Sequence, residues 1–449
     1  GTIEMAKKSK VQFVCSNCGG SFTSWAGKCS QCGEWNTLQE QLTISSSTIK
    51  ESGNSLKVAN LATLQAAKPQ ARLSTGIADV DNVLGGGIVP GSVILLAGQP
   101  GIGKSTLVLQ LANSLSLKSS VLYISGEESA EQIALRARRL GVSSDKLTVA
   151  TGTVSNDIAA TIANRSADLV IIDSIQTLSC TEISSAAGTV SQITNSTQLL
   201  TAAAKATNTA LLIIGHVTKE GSIAGPKLLE HMVDVVLQLE GDRYGGFKVL
   251  RAIKNRFGST SEAGIFEMEE NGLQTVLNPS AALLAERQVS DGSIVLPTLE
   301  GTRPLLVEVQ ALVNKTSYGY PKRASSGFDL NRLNLLIAVL ERRTKLQLSD
   351  KDIYINIVGG IRLNDPASDL AVCMAIGSAA KGLKLKTDAV VFGEVGLSGE
   401  VRHVTAIDKR LSEAEKMGFK LAVGPKTKTK NKALHQVSDL REALNTFLS

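Results

Sequence analysis

A chain of 449 residues, 43% hydrophobic and 20% charged, is too long for one ordinary domain and suits two large cores plus a small module. No apolar run nears the ~18–20 residues of a membrane span, and the polar Gly1–Lys10 leads into no apolar core. The expected compartment is therefore the cytoplasm, and a net charge of +6 permits an acidic partner such as nucleic acid without demanding one.

The first element expected is a cysteine module over residues 11–38. Cys15-Ser-Asn-Cys18 and Cys29-Ser-Gln-Cys32 form C-x2-C–x10–C-x2-C, each pair followed by a glycine (Gly19, Gly33) that lets the backbone turn under a metal. In a reducing compartment such a cluster reads as a metal site and not as disulfides. Four thiolates with no open position describe structural Zn²⁺, with the iron of rubredoxin-type knuckles as the alternative. So small a module needs its metal to hold together. Trp25 and Trp35 fall here too, as a stacking surface for a partner or as small-domain core. Residues 39–60, rich in Ser, Thr and Gln, read as a linker.

From 61 to 277 apolar strands alternate with amphipathic helices. Strands are expected at 93–97, 121–124, 147–150, 169–173, 210–214, 235–239 and 249–254, and helices at 104–115 and 130–140. That order implies βαβ units and a mostly parallel sheet, an α/β fold. The segment Gly98-Gln99-Pro100-Gly101-Ile102-Gly103-Lys104-Ser105, with Thr106 behind it, fits G-x-x-x-x-G-K-[ST] between a buried strand and a helix. There the glycines let backbone N–H groups wrap the phosphates of ATP, Lys104 reaches the β and γ oxygens, and Ser105 ligates Mg²⁺. The strand 169–173 ends in Asp173, placed to sit beside that magnesium. Glu127 and Glu128 follow the 121–124 strand. Glu127 is the candidate for activating water, although both residues also suit the start of a helix. His216, just after the 210–214 strand, is either a candidate to hydrogen-bond a bound phosphate or a structural histidine, and the loop at 220–227 that Thr218 and Lys219 begin is expected to be mobile. The Ser-, Gly- and Ala-rich stretch 179–191 reads as a flexible loop.

These residues carry a resemblance. Leu84-Gly-Gly-Gly-Ile-Val-Pro-Gly leading into the P-loop, Tyr123-Ile-Ser-Gly-Glu-Glu128 and Asp173-Ser-Ile-Gln-Thr-Leu178 resemble the RecA-like ATPases. With Lys254-Asn-Arg-Phe-Gly258 and the four-cysteine module, nearly the whole chain resembles the bacterial RadA (Sms) family of recombination and repair proteins. The resemblance implies that Lys254 and Arg256 act on a neighbouring subunit's nucleotide. Two apart on a strand, they would project to one side. It also implies a homo-oligomer, a hexameric ring, that hydrolyses ATP on single-stranded or branched DNA in partnership with RecA. The 179–191 loop and the region after His216 would face the DNA.

The third region, 281–449, has its own alternation. Strands are expected at 294–299, 305–309, 353–358 and 389–392, and helices at 330–340 (capped by Asp329), 367–380 and 407–416. Stretches 359–375 and 393–410 resemble the proteolytic domain of Lon, whose peptidases use a Ser nucleophile and a Lys base. Pro366-Ala367-Ser368-Asp369 puts Ala367 at the nucleophile position, and the Lys position falls on Asp408. Without hydroxyl and amine there the dyad cannot form, so the domain reads as serving assembly or binding. Arg323, Arg342, Arg343 and Lys345, with Lys322, and the alternating Lys426, Lys428, Lys430 and Lys432, are candidate DNA contacts or solvated faces. Two rivals remain, an ATP-dependent Lon-type peptidase and a clock-type signalling ATPase.

Overall fold

The computed structural model describes residues 11–42, 58–67, 69–217, 228–241, 246–317, 319–385 and 389–448. The chain divides into two compact units, one up to Pro69 and one from Gln70 onward. The first holds a three-stranded antiparallel sheet in the order Ser21–Phe22, Val11–Cys15, Leu38–Leu42. Its last strand runs into the segment read from sequence as linker. A short helix, Leu61–Ala66, also belongs to this unit, with Asn60 accepting from the Ala62 amide as its cap.

The second unit is built on two sheets. The nine-stranded one runs Gly272–Thr275, Ala263–Glu269, Phe247–Asn255, Val235–Gly241, Val93–Gly98, Ala210–His216, Leu169–Asp173, Val121–Ser125, Leu147–Thr151. From Val235–Gly241 to Leu147–Thr151 the pairing is parallel, and the remaining strands run antiparallel. Strand period explains the layers. In Val93–Gly98, Ile94 and Leu96 face one way, onto the Lys104–Ser116 helix through Leu107, Leu111 and Leu115. Val93 and Leu95 face the other way, onto Ile158, Ile193 and Leu200 of the helices Ser155–Asn164 and Val190–Ala206. Because both faces are covered, the central strands are uniformly buried.

The other sheet is seven-stranded, in the order Arg323–Ser326, Lys351–Ile357, Arg303–Lys315, Ser293–Glu300, Ala389–Val391, Leu421–Pro425, Leu434–Val437. Its central helix, Ser368–Lys381, is buried from Ser368 to Ser378, so it lacks the polar stripe of a surface helix. Asp329 caps the Leu330–Thr344 helix by accepting from the Arg332 amide. The two sheets are tied together. The Phe247 amide donates to the Gly359 carbonyl at 2.9 Å, Arg251 pairs with Glu300 at 2.8 Å, and Arg303 pairs with Asp79 at 3.3 Å. Burial of Glu300, only partly offset by Arg251, pushes its carboxyl up to about 7. No helix among the described residues is long and apolar enough to cross a membrane.

Candidate active site

The loop after Val93–Gly98 turns on glycines. Gly101 has φ 80° and Gly103, the cap of the following helix, has φ 113°. A side chain at Gly101 would stand in open space within the loop, so the residue's role is conformational. Ile102 is buried and anchors the loop, while Gln99 and Pro100 lie between it and the strand. Lys104, Ser105 and Thr106 open the Lys104–Ser116 helix. Lys104 is 4% exposed, and its ammonium donates to the carbonyls of Gly98 (2.7 Å) and Gln99 (2.9 Å), which keeps it inside the loop. A concave run of amides at a helix N-terminus with a buried ammonium is a receptacle for polyphosphate.

Across the sheet, Asp173 closes the Leu169–Asp173 strand and is 4% exposed. Ser105 and Asp173 are the groups able to hold a hard divalent cation here. The Asp173–Ser174 peptide is cis. The two glutamates diverge. The Ser125 hydroxyl accepts from both their amides, at 3.2 Å from Glu127 and 2.9 Å from Glu128. The Ser174 hydroxyl donates to Glu127 Oε1 at 2.5 Å, and His216 Nε2 lies 3.3 Å from the same oxygen. Burial raises the Glu127 carboxyl, but the bonds from Ser174 and His216 and the charges of His216 and Lys104 outweigh it and hold it below its usual value. Glu128 turns away to pair with Arg136 at 2.8 Å. Arg136 also donates to the Tyr123 hydroxyl at 3.0 Å, and that hydroxyl donates to Asp173. Sequence reasoning missed Ser174, Tyr123 and Arg136. Ser174 lies in the quoted Asp173–Leu178 motif and Tyr123 in the Tyr123–Glu128 motif, but a tyrosine in an apolar strand reads as core.

The Lys254–Gly258 segment departs from expectation. The strand ends at Asn255, and its register shifts between Ala252 and Lys254, so Arg256 lies in a turn and does not alternate with Lys254. The cause is Asn255, whose side chain donates to the Leu84 carbonyl (3.2 Å) and accepts from the Phe257 amide (2.9 Å), turning the chain. Lys254 donates to the carbonyls of Glu230 (2.7 Å) and Val233 (2.8 Å). Arg256, just over half exposed, pairs with Asp234 at 3.2 Å, and Asp234 also accepts from the Val93 amide at 2.9 Å. The segment is thus braced against the base of the P-loop strand. A Cβ on Gly258 would lie 3.1 Å from the Gly85 Cα, which accounts for the glycine.

The stretch before Val190–Ala206 is less loose than its composition suggests. Gln192 accepts from the Cys180 amide (2.7 Å) and donates to the carbonyls of Ile183 (2.9 Å) and Ser185 (2.8 Å). Thr218, Lys219 and the 220–227 loop lie outside the described residues.

In the cysteine module the four Sγ atoms lie within 4.8 Å of one another, with Cys15–Cys32 and Cys18–Cys29 both at 3.7 Å. Four sulfurs at ~2.3 Å from one tetrahedral Zn²⁺ would stand ~3.8 Å apart, so the thiols fit the ion. Thr37, 3.1 Å from Cys15 Sγ, holds that thiol down at about 6. The Gly20 amide lowers Cys18, yet desolvation and the three other sulfurs carry it up to about 12. So many sulfurs cannot all ionise together without a cation among them. Trp25 and Trp35 are 59% and 67% exposed, so neither is core.

In the third region Ala367 is fully buried, and Asp408 sits in the first turn of Ile407–Lys416. Ser368 donates to the Asp365 carbonyl at 2.6 Å, and Lys409 to the Thr302 carbonyl at 3.3 Å. Beneath them Arg410, 0% exposed, pairs with Asp365 at 2.5 Å and donates to the Pro297 carbonyl at 2.9 Å.

Fold and site together define a RecA-like P-loop ATPase that takes ATP and Mg²⁺ and carries a four-cysteine zinc site. The family described as KaiC matches residues 73–278, the rubredoxin metal-binding domain matches 13–40, and subunit ChlI of Mg-chelatase matches 333–428. The DNA repair protein RadA of Halalkalibacterium halodurans is 49% identical over 94% of this chain and 93% of its own length. The proteins of that name in Aquifex aeolicus (45%, covering 98% of this chain and 99% of theirs) and Bacillus subtilis (46%, 98% and 99%) are similar to it end to end. The chain belongs to the RadA family.

Proposed function

We propose that the chain is a DNA-dependent ATPase motor that translocates on or branch-migrates recombination intermediates during homologous recombination and DNA repair. The observation that carries the reading is end-to-end similarity, zinc module included, to proteins named for DNA repair. In this reading the Gly98–Thr106 loop holds the nucleotide, Lys104 draws charge from its β and γ oxygens, and Ser105 and Asp173 hold Mg²⁺. When bound, that ion neutralises phosphate charge. Glu127, ionised and aimed by Ser174 and His216, orients and deprotonates the attacking water. Its partner Glu128 is engaged by Arg136.

Arg256 is the cation that reaches a neighbour's γ-phosphate, exchanging Asp234 for phosphate. Lys254 supports it by fastening the end of the Leu228–Met232 helix. A site completed in trans requires an oligomer, in this reading a hexameric ring acting on single-stranded and branched DNA alongside RecA. The 73–278 match to KaiC supports the second reading, a signalling ATPase.

The test is ATP hydrolysis with and without single-stranded DNA on wild type, Lys104→Ala and Arg256→Ala. DNA should stimulate the wild type, and both variants should lose the stimulation. Hydrolysis indifferent to DNA would put the signalling reading first.

A further inference from the structure

We propose that Tyr123 is a positioning residue that keeps Asp173 available to magnesium by standing between that carboxylate and the guanidinium of Arg136. Tyr123 sits in the Val121–Ser125 strand beside Leu169–Asp173, its ring fully buried. Its hydroxyl donates to Asp173 Oδ2 and accepts from Arg136 Nη2 at 3.0 Å. The same Nη2 lies 4.0 Å from Asp173 Oδ2, at the outer limit of an ion pair.

Two consequences follow from this order of groups. Oδ2 is occupied by a neutral donor, which fixes the rotation of the carboxylate and leaves Oδ1, which takes no side-chain hydrogen bond among the described residues, for a cation. The positive charge of Arg136 is held one atom back, committed to Glu128 at 2.8 Å. Arg136 Nε has no hydrogen-bond partner among the described residues, so the guanidinium is not fully satisfied where it stands. Without the phenol oxygen, nothing of hydrogen-bonding size separates guanidinium from carboxylate. A direct pair would form and spend the charge that the cation needs. Glu128, by holding Arg136 from the other side, works in the same direction.

The inference rests on Asp173 being a magnesium ligand, and the experiment separates the two. Mn²⁺ is titrated into the full chain with a non-hydrolysable ATP analogue, free Mn²⁺ is read by electron paramagnetic resonance, and metal-free analogue affinity is measured separately. Asp173→Asn should lose Mn²⁺ binding, and Mn²⁺ binding equal to wild type there would remove the premise. Tyr123→Phe should weaken Mn²⁺ binding by about tenfold or more with analogue affinity unchanged. Tyr123→Phe/Arg136→Gln should recover most of it, because the competing charge is gone. If Tyr123→Phe binds Mn²⁺ like wild type, or the double variant is no better than the single, the phenol is only core packing and the proposal falls.

Discussion

The nucleotide site and the Lon-like region use the same parts, an apolar strand, a turn and a helix start bearing a hydroxyl and charges, but settle their charges differently. Around the P-loop, Glu127 is held by a hydroxyl and an imidazole and remains half-exposed, while Lys104 rests on backbone carbonyls that a phosphate can replace. In the third region the charges close on each other. Arg410 takes both oxygens of Asp365, and Arg332 takes both oxygens of Asp369. One region keeps its charges for a ligand, and the other has turned them into structure.

The largest test of this contrast is Glu127→Gln, which should lower kcat by ~10²–10⁴-fold while nucleotide binding, followed with a fluorescent analogue, is kept. On the structural side, Arg410→Met should leave Asp365 buried without its partner and cost ~3–5 kcal/mol in denaturant unfolding. Adding Asp365→Asn should recover much of that loss. Unchanged stability in Arg410→Met would mean that this pair is not structural after all.

Glu300 gives a smaller effect with a definite sign. Its carboxyl is raised from 4.5 to about 7, so the folded state holds a proton that the unfolded chain has already released. That contribution is complete below pH 4.5 and lost as pH rises through about 7. Glu300→Gln should therefore raise Tm at pH 8 relative to wild type, with the difference vanishing near pH 4. The smallest change expected is with His216→Ala. Losing one of the interactions that hold Glu127 down should shift the acid limb of hydrolysis upward in pH, which a pH–rate profile would read.

Much of the scaffold was legible because period and ends agreed. Leu169–Asp173 and Ile407–Lys416 begin and end where apolar spacing and polar neighbours say. The antiparallel strands Ala263–Glu269 and Gly272–Thr275 were not read, because they lie at the sheet's edge and lack a strand period: 263–266 are buried in a row and 267–269 exposed in a row. At the site, a motif specifies backbone geometry well and side-chain pairing poorly. Gly98–Ser105 announces its loop, whereas nothing in Glu127-Glu128 tells which carboxylate Arg136 will take. The bracing of 180–185 was hidden for a related reason. A single Gln192, lying in the next helix, does the work that the loop's own composition disclaims.

The exposed tryptophans of the cysteine module have an optical consequence. Trp25 and Trp35 are the only two in the chain, so emission excited at the red edge of the protein's absorption comes from this module alone. Lys28 lies 5.5 Å from the Trp35 ring and is followed directly by Cys29, so loss of the ion should change that emission while the rest of the chain stays dark: the module carries its own lamp.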